Sequence, residues 1–474
     1  MHVPIDLLPG QTLSSSGRPR LDYLAVGALA LPFMVNSAVQ AVLNATDTWF
    51  IGRLSPDATA AIGAVYWPVL VFVLLFGGIG LSVQTFVAQA FGARRFARAS
   101  QITWTALWAS LFTLPLFALL SLSGARLFGP FGIAPHTLSL SLAYWWPRML
   151  GGPLGVALWS LLGFFNGIGR PNLTLRIVVA VAVANALLNQ WFMYDLRLGV
   201  AGSAWATNTA QLFGIAAALS AFLRPAMHAR FRSRLTWRLR ARPLRQQLQL
   251  GFPMGLLTAA DILGFALFQL MQVRLGTVDG ASTQIVMMLT SVCYMPAGGI
   301  AQAGTTLVGQ AIGAGRRDWA AQVGNGIILL AVLYMGIIGV VLAAAGPWIL
   351  PLFTNTLDPD AAGVIARGGV LLWIAAGYQM FDGLNLSAGA CLRGAGDVRL
   401  PAMMVLALSW LLFVPLAHSL SFAPRQGWVD WLPQFGYGAV GGWVAALIYI
   451  LCLGMMLFLR WHSGAWRRIA LELG

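Results

Sequence analysis

The chain has 474 residues, of which 58% are hydrophobic and only 9% are charged, and its mean hydropathy is +0.76. A soluble protein carries roughly 25% charged residues, so this composition excludes a soluble globular protein and indicates one embedded in a lipid bilayer. The net charge of +15 comes entirely from arginine. Because the arginines are scattered over many short polar segments between apolar ones, we exclude a nucleic-acid-binding protein.

Apolar segments long enough to cross a bilayer as helices follow one another along the whole chain. Twelve spans are predicted, at residues 22–50, 61–90, 102–123, 138–166, 173–193, 200–223, 251–273, 282–312, 323–350, 367–392, 400–421 and 437–459.

The long polar stretch in the middle of the chain divides these spans into two groups of six. We therefore predict an all-α integral membrane protein with an N-lobe at 22–223 and a C-lobe at 251–459. A basic linker at 224–250 joins the lobes. We interpret its arginines as charge that sets the membrane topology, and part of the linker can also form an amphipathic helix on anionic lipid. Tails at 1–21 and 460–474 flank the lobes.

Most arginines fall in the segments before span 1, after the even-numbered spans, or in the linker. These segments share one side of the membrane, and the positive-inside rule makes that side cytoplasmic. We therefore predict that both termini and both tails are cytoplasmic. The sequence begins without the early apolar core of a removable signal peptide.

One segment of the N-lobe is repeated in the C-lobe. The stretch from Gly77 to Ala99 returns with the same internal spacing at Gly298 to Ala320, and Pro32 and Pro253 are separated by the same interval. Two copies in one orientation predict lobes related by a pseudo-two-fold axis, as in alternating-access transporters. Each proline bends its span, either as a moving part or as a static kink.

Three acidic residues are predicted to lie inside spans, namely Asp47, Asp261 and Asp382. A charged side chain at the centre of a bilayer costs about 2.5–3.5 kcal/mol on insertion scales. We therefore expect these carboxyl groups to face a polar cavity or to be protonated, and we take them as candidate functional residues.

In the N-lobe, Asp47 lies late in span 1, where an outer-end carboxylate touching water is one interpretation. Asn185 and Asn189 share one face of span 5 and complete with Asp47 a candidate patch for a proton or cation, although such a pair can also hold helices together. Tyr144 is a candidate cavity residue that could meet a cation through its ring. Gln40 occupies in the first copy the position of Asp261 in the second and is a further pocket candidate.

In the C-lobe, Tyr378 lies one helical turn before Asp382, so the phenol and the carboxylate can share a hydrogen bond or a cation. If Asp261 and Asp382 face each other, the pair resists double ionisation, which suits proton uptake, or binds Na⁺ through oxygen ligands. No nucleotide loop, metal-ligand cluster or nucleophile constellation is visible in the sequence, so we predict neither an enzyme nor a cofactor.

The combination of four sequence blocks resembles the multidrug and toxic compound extrusion (MATE) family over nearly the whole chain. These blocks are LPFMVNSAVQAVLNATDTWFIGRL in span 1, VAQAFGAR with VGQAIGAG, GFFNGIGRP with ACLRGAGD, and NALLNQW followed by GVAGSAWAT. The chain is most similar to the NorM-like branch, because it has an acid in span 7, a Tyr378-Gln379-x-x-Asp382 block in span 10 and Asn189.

The resemblance implies twelve helices in two lobes opening as a V, and efflux of cationic or amphipathic compounds in exchange for Na⁺ or H⁺. By position it assigns Asp261, Tyr378 and Asp382 to a second-lobe cation site. It assigns a first-lobe pocket to Asp47, Asn185, Asn189 and Thr207. The branch usually has Glu in span 7, so the shorter Asp261 alters the geometry on which ion choice depends.

We therefore predict a monomeric multidrug antiporter in the bacterial inner membrane, with H⁺ or Na⁺ as its coupling ion and no nucleic-acid partner. The alternative is a flippase of lipids or lipid-linked precursors from the wider superfamily. That activity needs a basic cavity for pyrophosphate, whereas only Arg148 is predicted within a span and the buried charges are mainly acidic.

Overall fold

The computed structural model describes residues 9–13, 19–131, 134–354 and 359–469, and nearly all of them are helical. The first half contains two short strands, β1 and β2, followed by helices α1 to α10. They are β1 Gln11–Leu13, β2 Pro19–Leu21, α1 Tyr23–Gly52, α2 Pro56–Gly92, α3 Phe96–Phe112, α4 Leu114–Leu122, α5 Gly124–Phe128, α6 Pro135–Leu150, α7 Gly152–Gly167, α8 Pro171–Asn189, α9 Gly199–Phe222 and α10 Pro225–Phe231.

The second half contains helices α11 to α17. They are α11 Ala241–Arg274, α12 Thr277–Gly313, α13 Arg317–Ile349, α14 Ala361–Ala395, α15 Arg399–Ala407, α16 Val414–Ser421 and α17 Gly438–His462. A π-helical turn at Gln190–Asp195 extends α8, and a second one at Leu408–Phe413 joins α15 to α16.

Ten helical segments in the described part of the chain are long and apolar enough to cross a membrane, or up to 12 when each bent pair counts as one span. One bent pair is α6 with α7, which meet at 44°. Gly151, Gly152 and Pro153 lie at this break, where proline cannot donate a backbone hydrogen bond and glycine weakens the helix. The expected all-α membrane fold is therefore confirmed.

Several predicted boundaries differ from the structure. The segment 224–250 is not wholly a linker, because α10 lies within it and α11 already begins at Ala241. The prediction from apolar segments missed this start because the first turns of α11 are rich in Arg and Gln. The predicted tail at 1–21 contains a β-ribbon in which β1 pairs antiparallel with β2. Residues 1–8, 14–18 and 470–474 of the two tails lie outside the described part.

Each half has its own apolar core, but α1 and α11 exchange their first turns between the cores. Val26, Ala30 and Phe33 of α1 belong to the core that α12, α13, α14 and α17 build. Leu250 and Met254 of α11 belong to the core of the first half. The lobes defined by the sequence therefore do not pack separately, because the beginning of each lobe's first helix packs into the core of the other lobe.

Glycines permit the helices of the two lobes to meet at equivalent places. A side chain on Gly78 would overlap with the backbone of Gly251 and Gly255 in α11, and one on Gly299 would overlap with Met34 in α1. Both contacts lie within two residues of a proline, Pro32 in α1 and Pro253 in α11. The glycines of the duplicated segment thus let α2 pack closely against α11, and α12 against α1.

The lobes also meet at the end of the bundle that carries Arg94, Arg95, Arg316 and Arg317, which we call the basic end. Gln89 Nε2 donates to the carbonyl oxygen of Gly394 at 2.9 Å, and its repeat partner Gln310 donates to that of Gly167 at 2.8 Å. We call these two reciprocal hydrogen bonds the glutamine pair. Side chains on Gly92 or Gly313 would overlap with the opposite glutamine backbone, so the basic end is closed in this structure.

Candidate functional site

A cavity of about 290 Å³ lies within the C-lobe among α11, α12, α14 and α17, with Trp67 of α2 reaching it from the N-lobe. Asp261 on α11 and Asp382 on α14 both line it, so we call it the acidic cavity. Aromatic rings provide much of the remaining wall, including Phe265, Trp443 and Tyr449. Two carboxyl groups thus lie in a largely apolar enclosure, where charge is costly unless it is paired.

The Asp261 carboxylate has a phenol as its partner. Tyr449 Oη on α17 donates a hydrogen bond to Asp261 Oδ1 at 2.7 Å. Phe413 stacks on the Tyr449 ring with centroids 4.9 Å apart, which fixes the direction of the phenol. The Tyr449 contact was not predicted, because a single Tyr in an apolar span does not reveal which helix it faces.

The Asp382 carboxylate has an amide as its partner. Asn385 Nδ2, three residues along α14, lies 3.5 Å from Asp382 Oδ1. Asp261 lines the same cavity, so the two carboxylates repel each other when both are ionised. An added proton or cation would relieve this repulsion. The spacing of Asn385 from Asp382 was visible in the sequence, since residues three apart share a helix face.

Tyr378 lines the acidic cavity, as does Asp382. The predicted hydrogen bond between the two is not formed, and a cation shared by them stays a prediction. The Tyr378 ring stacks on Trp443, with centroids 6.1 Å apart, and its hydroxyl lies beside Thr290. Among the described residues, the amide of the neighbouring Gln379 has no hydrogen-bond partner although the side chain is 1% exposed. A buried, unpartnered amide in the wall of a cavity is a group that a ligand can satisfy.

The predicted N-lobe residues form a connected chain of hydrogen bonds, which we call the Asp47 network. Asn189 Nδ2 donates to Asp47 Oδ1 at 2.5 Å and lies 3.2 Å from Asn185 Oδ1. Asn185 Nδ2 in turn donates to Thr207 Oγ1 at 3.3 Å. The network joins α1, α8 and α9, and Asn185 and Asn189 are buried.

A half-buried cation lies beside the Asp47 network. The Arg148 guanidinium at the end of α6 attracts the Asp47 carboxylate and is hydrogen-bonded to Tyr144. The sequence placed Arg148 within a span without connecting it to Asp47, because contacts between α1 and α6 are tertiary. The N-lobe therefore holds its acid with an internal cation, whereas the lining of the acidic cavity includes no basic residue.

Three predicted residues lie apart from these two sites. Gln40 is exposed on α1, two helical turns from Asp47, and the structure does not join it to the network. Repeat position alone suggested Gln40, and the repeat conserves the position without conserving the acid, since Gln40 stands where the second copy has Asp261. Pro32 and Pro253 lie where α1 and α11 cross the opposite lobe, and the hypothesis that they move remains a prediction.

Known proteins match the chain along most of its length. The MatE family model matches twice, at residues 32–191 and 253–418, and each match begins at one of the repeated prolines. The chain is similar to the multidrug resistance protein NorM of Burkholderia vietnamiensis, with 30% identity over 96% of this chain and 97% of the relative. It is also similar to the probable multidrug resistance protein NorM of Deinococcus radiodurans, with 31% identity over 89% and 92%.

A solved structure shares the fold. The crystal structure of MATE in complex with MaL6 matches with a TM-score of 0.82 and 19% identity, over 94% of this chain and 97% of that chain.

Proposed function

This chain belongs to the MatE family of membrane transporters, and on that premise we propose that it exports cationic or amphipathic drug-like molecules in exchange for H⁺ or Na⁺. Its relatives are named as multidrug resistance proteins and not as enzymes. We propose further that it works as a monomer in a bacterial inner membrane, with the basic end and both termini in the cytoplasm.

The observation that carries the proposal is the pair of carboxyl groups in the acidic cavity. Asp261 and Asp382 line the same cavity, so a cation entering it lowers the free energy of the ionised pair whether it is the coupling ion or a cationic substrate. The two ligands compete for the same negative charge. Exchange follows when each one favours a different conformation of the lobes, because binding and conformation are linked.

The coupling ion is a substrate of this exchange and not a resident cofactor. No cluster of three or more His, Cys, Asp or Glu side chains occurs in the described residues. A Na⁺ ion in the acidic cavity would therefore complete its oxygen ligands from the hydroxyl of Tyr449, the amide oxygen of Asn385 or water. A proton needs only one carboxylate of the pair. The membrane potential supplies about 2.3 kcal/mol for each charge moved across 100 mV, which supports roughly fifty-fold accumulation.

A flippase of pyrophosphate-linked lipids is not favoured by the geometry. Such a substrate carries several negative charges and calls for arginines or lysines in the transport cavity. The described lining of the acidic cavity contains two acids and no basic residue. We therefore retain efflux of cationic compounds as the proposed function.

The test is transport of a fluorescent cationic drug by proteoliposomes under an imposed pH gradient or an imposed Na⁺ gradient. The gradient that drives wild-type transport identifies the ion. We expect Asp382→Asn to lose that driven transport, because the neutral amide has no charge for which ion and drug can compete. Asp318→Asn, at an exposed acid outside the cavity, is the matched control. Driven transport at wild-type rate by Asp382→Asn would reject the acidic cavity as the coupling site.

A further inference from the structure

A second cavity, of about 550 Å³, lies at the basic end of the molecule, away from the acidic cavity. We call it the arginine cavity. Its walls come from α2, from the first turns of α11, from the link between α14 and α15, and from the residues that follow α17. The lining residues are Phe86, Arg242, Arg245, Gln246, Gln249, Leu250, Gly396, Asp397, Val398, Arg399 and Ile469.

The charge of the arginine cavity is strongly positive. Three of its lining residues are arginines, and Arg245 and Arg399 are both exposed to solvent. Asp397 is the one acid in the described lining. Its Oδ2 accepts a hydrogen bond from Arg460 Nε at 2.7 Å, and the residue is 3% exposed. The charge of Asp397 is therefore paired with that of Arg460, which is not among the lining residues.

More arginines stand behind the cavity wall. Arg98 on α3 donates to Gln246 Oε1 at 3.1 Å, and Gln246 is part of the lining. The Arg98 guanidinium is repelled by those of Arg95, Arg240 and Arg242. Like charges gathered in this way raise the local potential and attract an anion.

We propose that the arginine cavity binds a phosphate-bearing anion, and that its source is the headgroup of an anionic phospholipid. Guanidinium groups bind phosphate oxygens through paired, charge-assisted hydrogen bonds. Basic pockets between membrane helices on the positive side hold phospholipid headgroups. The volume of the cavity falls within the ordinary range for small-ligand sites, and Leu250 and Ile469 provide apolar surface beside the arginines.

The position of the cavity gives the bound anion a conformational effect. Phe86 belongs to α2 of the first half, whereas Arg399 follows α14 of the second half. A headgroup in this cavity contacts both halves while the basic end is closed, and separation of the halves would dismantle the site. Binding therefore stabilises the closed basic end, since a ligand favours the state that holds it more tightly.

The test compares retention of phosphatidylglycerol and phosphatidylcholine by the purified full-length protein, using native mass spectrometry and the midpoint of thermal unfolding. We expect wild type to retain phosphatidylglycerol preferentially and to be stabilised by it. The double variant Arg245→Gln/Arg399→Gln should lose roughly thirtyfold in affinity for this lipid, as two fewer arginines predict. The control is Arg176→Gln/Arg317→Gln, which removes the same charge from exposed positions at the basic end outside the cavity.

Inorganic phosphate, added in detergent without lipid, separates the two sources of the anion. If phosphate alone stabilises wild type as well as phosphatidylglycerol does, and the cavity variant abolishes both effects, the phosphate site stands and a lipid headgroup as its source is rejected. Equal losses in the cavity variant and the control would overturn the site, because surface charge in general would then explain the preference. A lipid preference that emerges only after removal of residues 470–474 would also overturn it, since the chain itself would then fill the cavity.

Discussion

Three phenols line the acidic cavity, and two of them, Tyr449 and Tyr378, differ in what their hydroxyl groups contact. Tyr449 Oη donates to Asp261 Oδ1, whereas Tyr378 stacks on Trp443 and lies beside Thr290. The three acids within the spans were predictable, because a charge in an apolar span is conspicuous in the sequence and costly in a bilayer. The Tyr449 partner of Asp261 was not, since these two residues are 188 positions apart in the chain and nothing local links them.

We expect Tyr449→Phe to reduce ion-driven drug transport about tenfold. The substitution removes a hydrogen bond to a charged group, which is typically worth about 1.5–3 kcal/mol. Tyr378→Phe is the matched control, because it removes a phenol from the same cavity without removing a contact to a carboxylate. Initial rates of drug transport in proteoliposomes would measure the difference. If Tyr378→Phe were the more damaging substitution, the contacts of Asp261 described here would not be those that govern transport.

At the scale of helices, the contact between α1 and α12 depends on one glycine of an adjacent pair. A methyl group on Gly299 would overlap with the backbone of Met34, whereas one on Gly298 would meet nothing within 4 Å. The spans themselves were predicted from their apolar length. The close approach was not, because the repeat shows that both glycines recur without showing which one faces the other lobe.

We expect Gly299→Ala to lower the thermal stability of the closed form and to slow transport, because backbone atoms of α1 cannot yield as a side chain can. Overpacking of this kind typically costs about 1–3 kcal/mol. Gly298→Ala, which adds the same methyl group one residue earlier, should leave both properties near wild type. Thermal unfolding of the two purified variants and their transport rates provide the comparison. A destabilised Gly298→Ala with an unchanged Gly299→Ala would contradict the helix orientation.

At the scale of the whole molecule, the duplication places equivalent glutamines in both lobes where the lobes meet. Gln89 and Gln310 occupy equivalent positions, and each donates to a carbonyl of the opposite half. The acids obey no such symmetry, since Asp261 and Asp382 share one lobe and Asp47 lies in the other. The repeat therefore predicted two lobes and their shared motifs. It could not predict the exchange of first turns between α1 and α11, which only the packing of the cores reveals.

The glutamine pair leads to a prediction about the conformational equilibrium. We expect the double variant Gln89→Ala/Gln310→Ala to open the basic end more often, because two hydrogen bonds between the lobes are lost at about 1 kcal/mol each. Thr306 lies in the same contact between the lobes at the basic end, which we call the seam. Its hydroxyl donates to the carbonyl oxygen of Asn166 at 3.1 Å, and its side chain is buried. A cysteine introduced by Thr306→Cys, with the three native cysteines replaced, should therefore react with maleimide only when the seam opens.

The labelling rate from the basic side should rise roughly thirtyfold in the double variant, since about 2 kcal/mol is lost and each 1.4 kcal/mol changes an equilibrium tenfold. Gln101→Ala is the control, because Gln101 accepts from Arg98 within one lobe and crosses no seam. The symmetry allows a further check, since either single variant should produce about half of the change in free energy. If one glutamine accounted for the whole effect, the two hydrogen bonds would not be equivalent. The repeat would then have preserved the geometry of the seam without preserving its energetics.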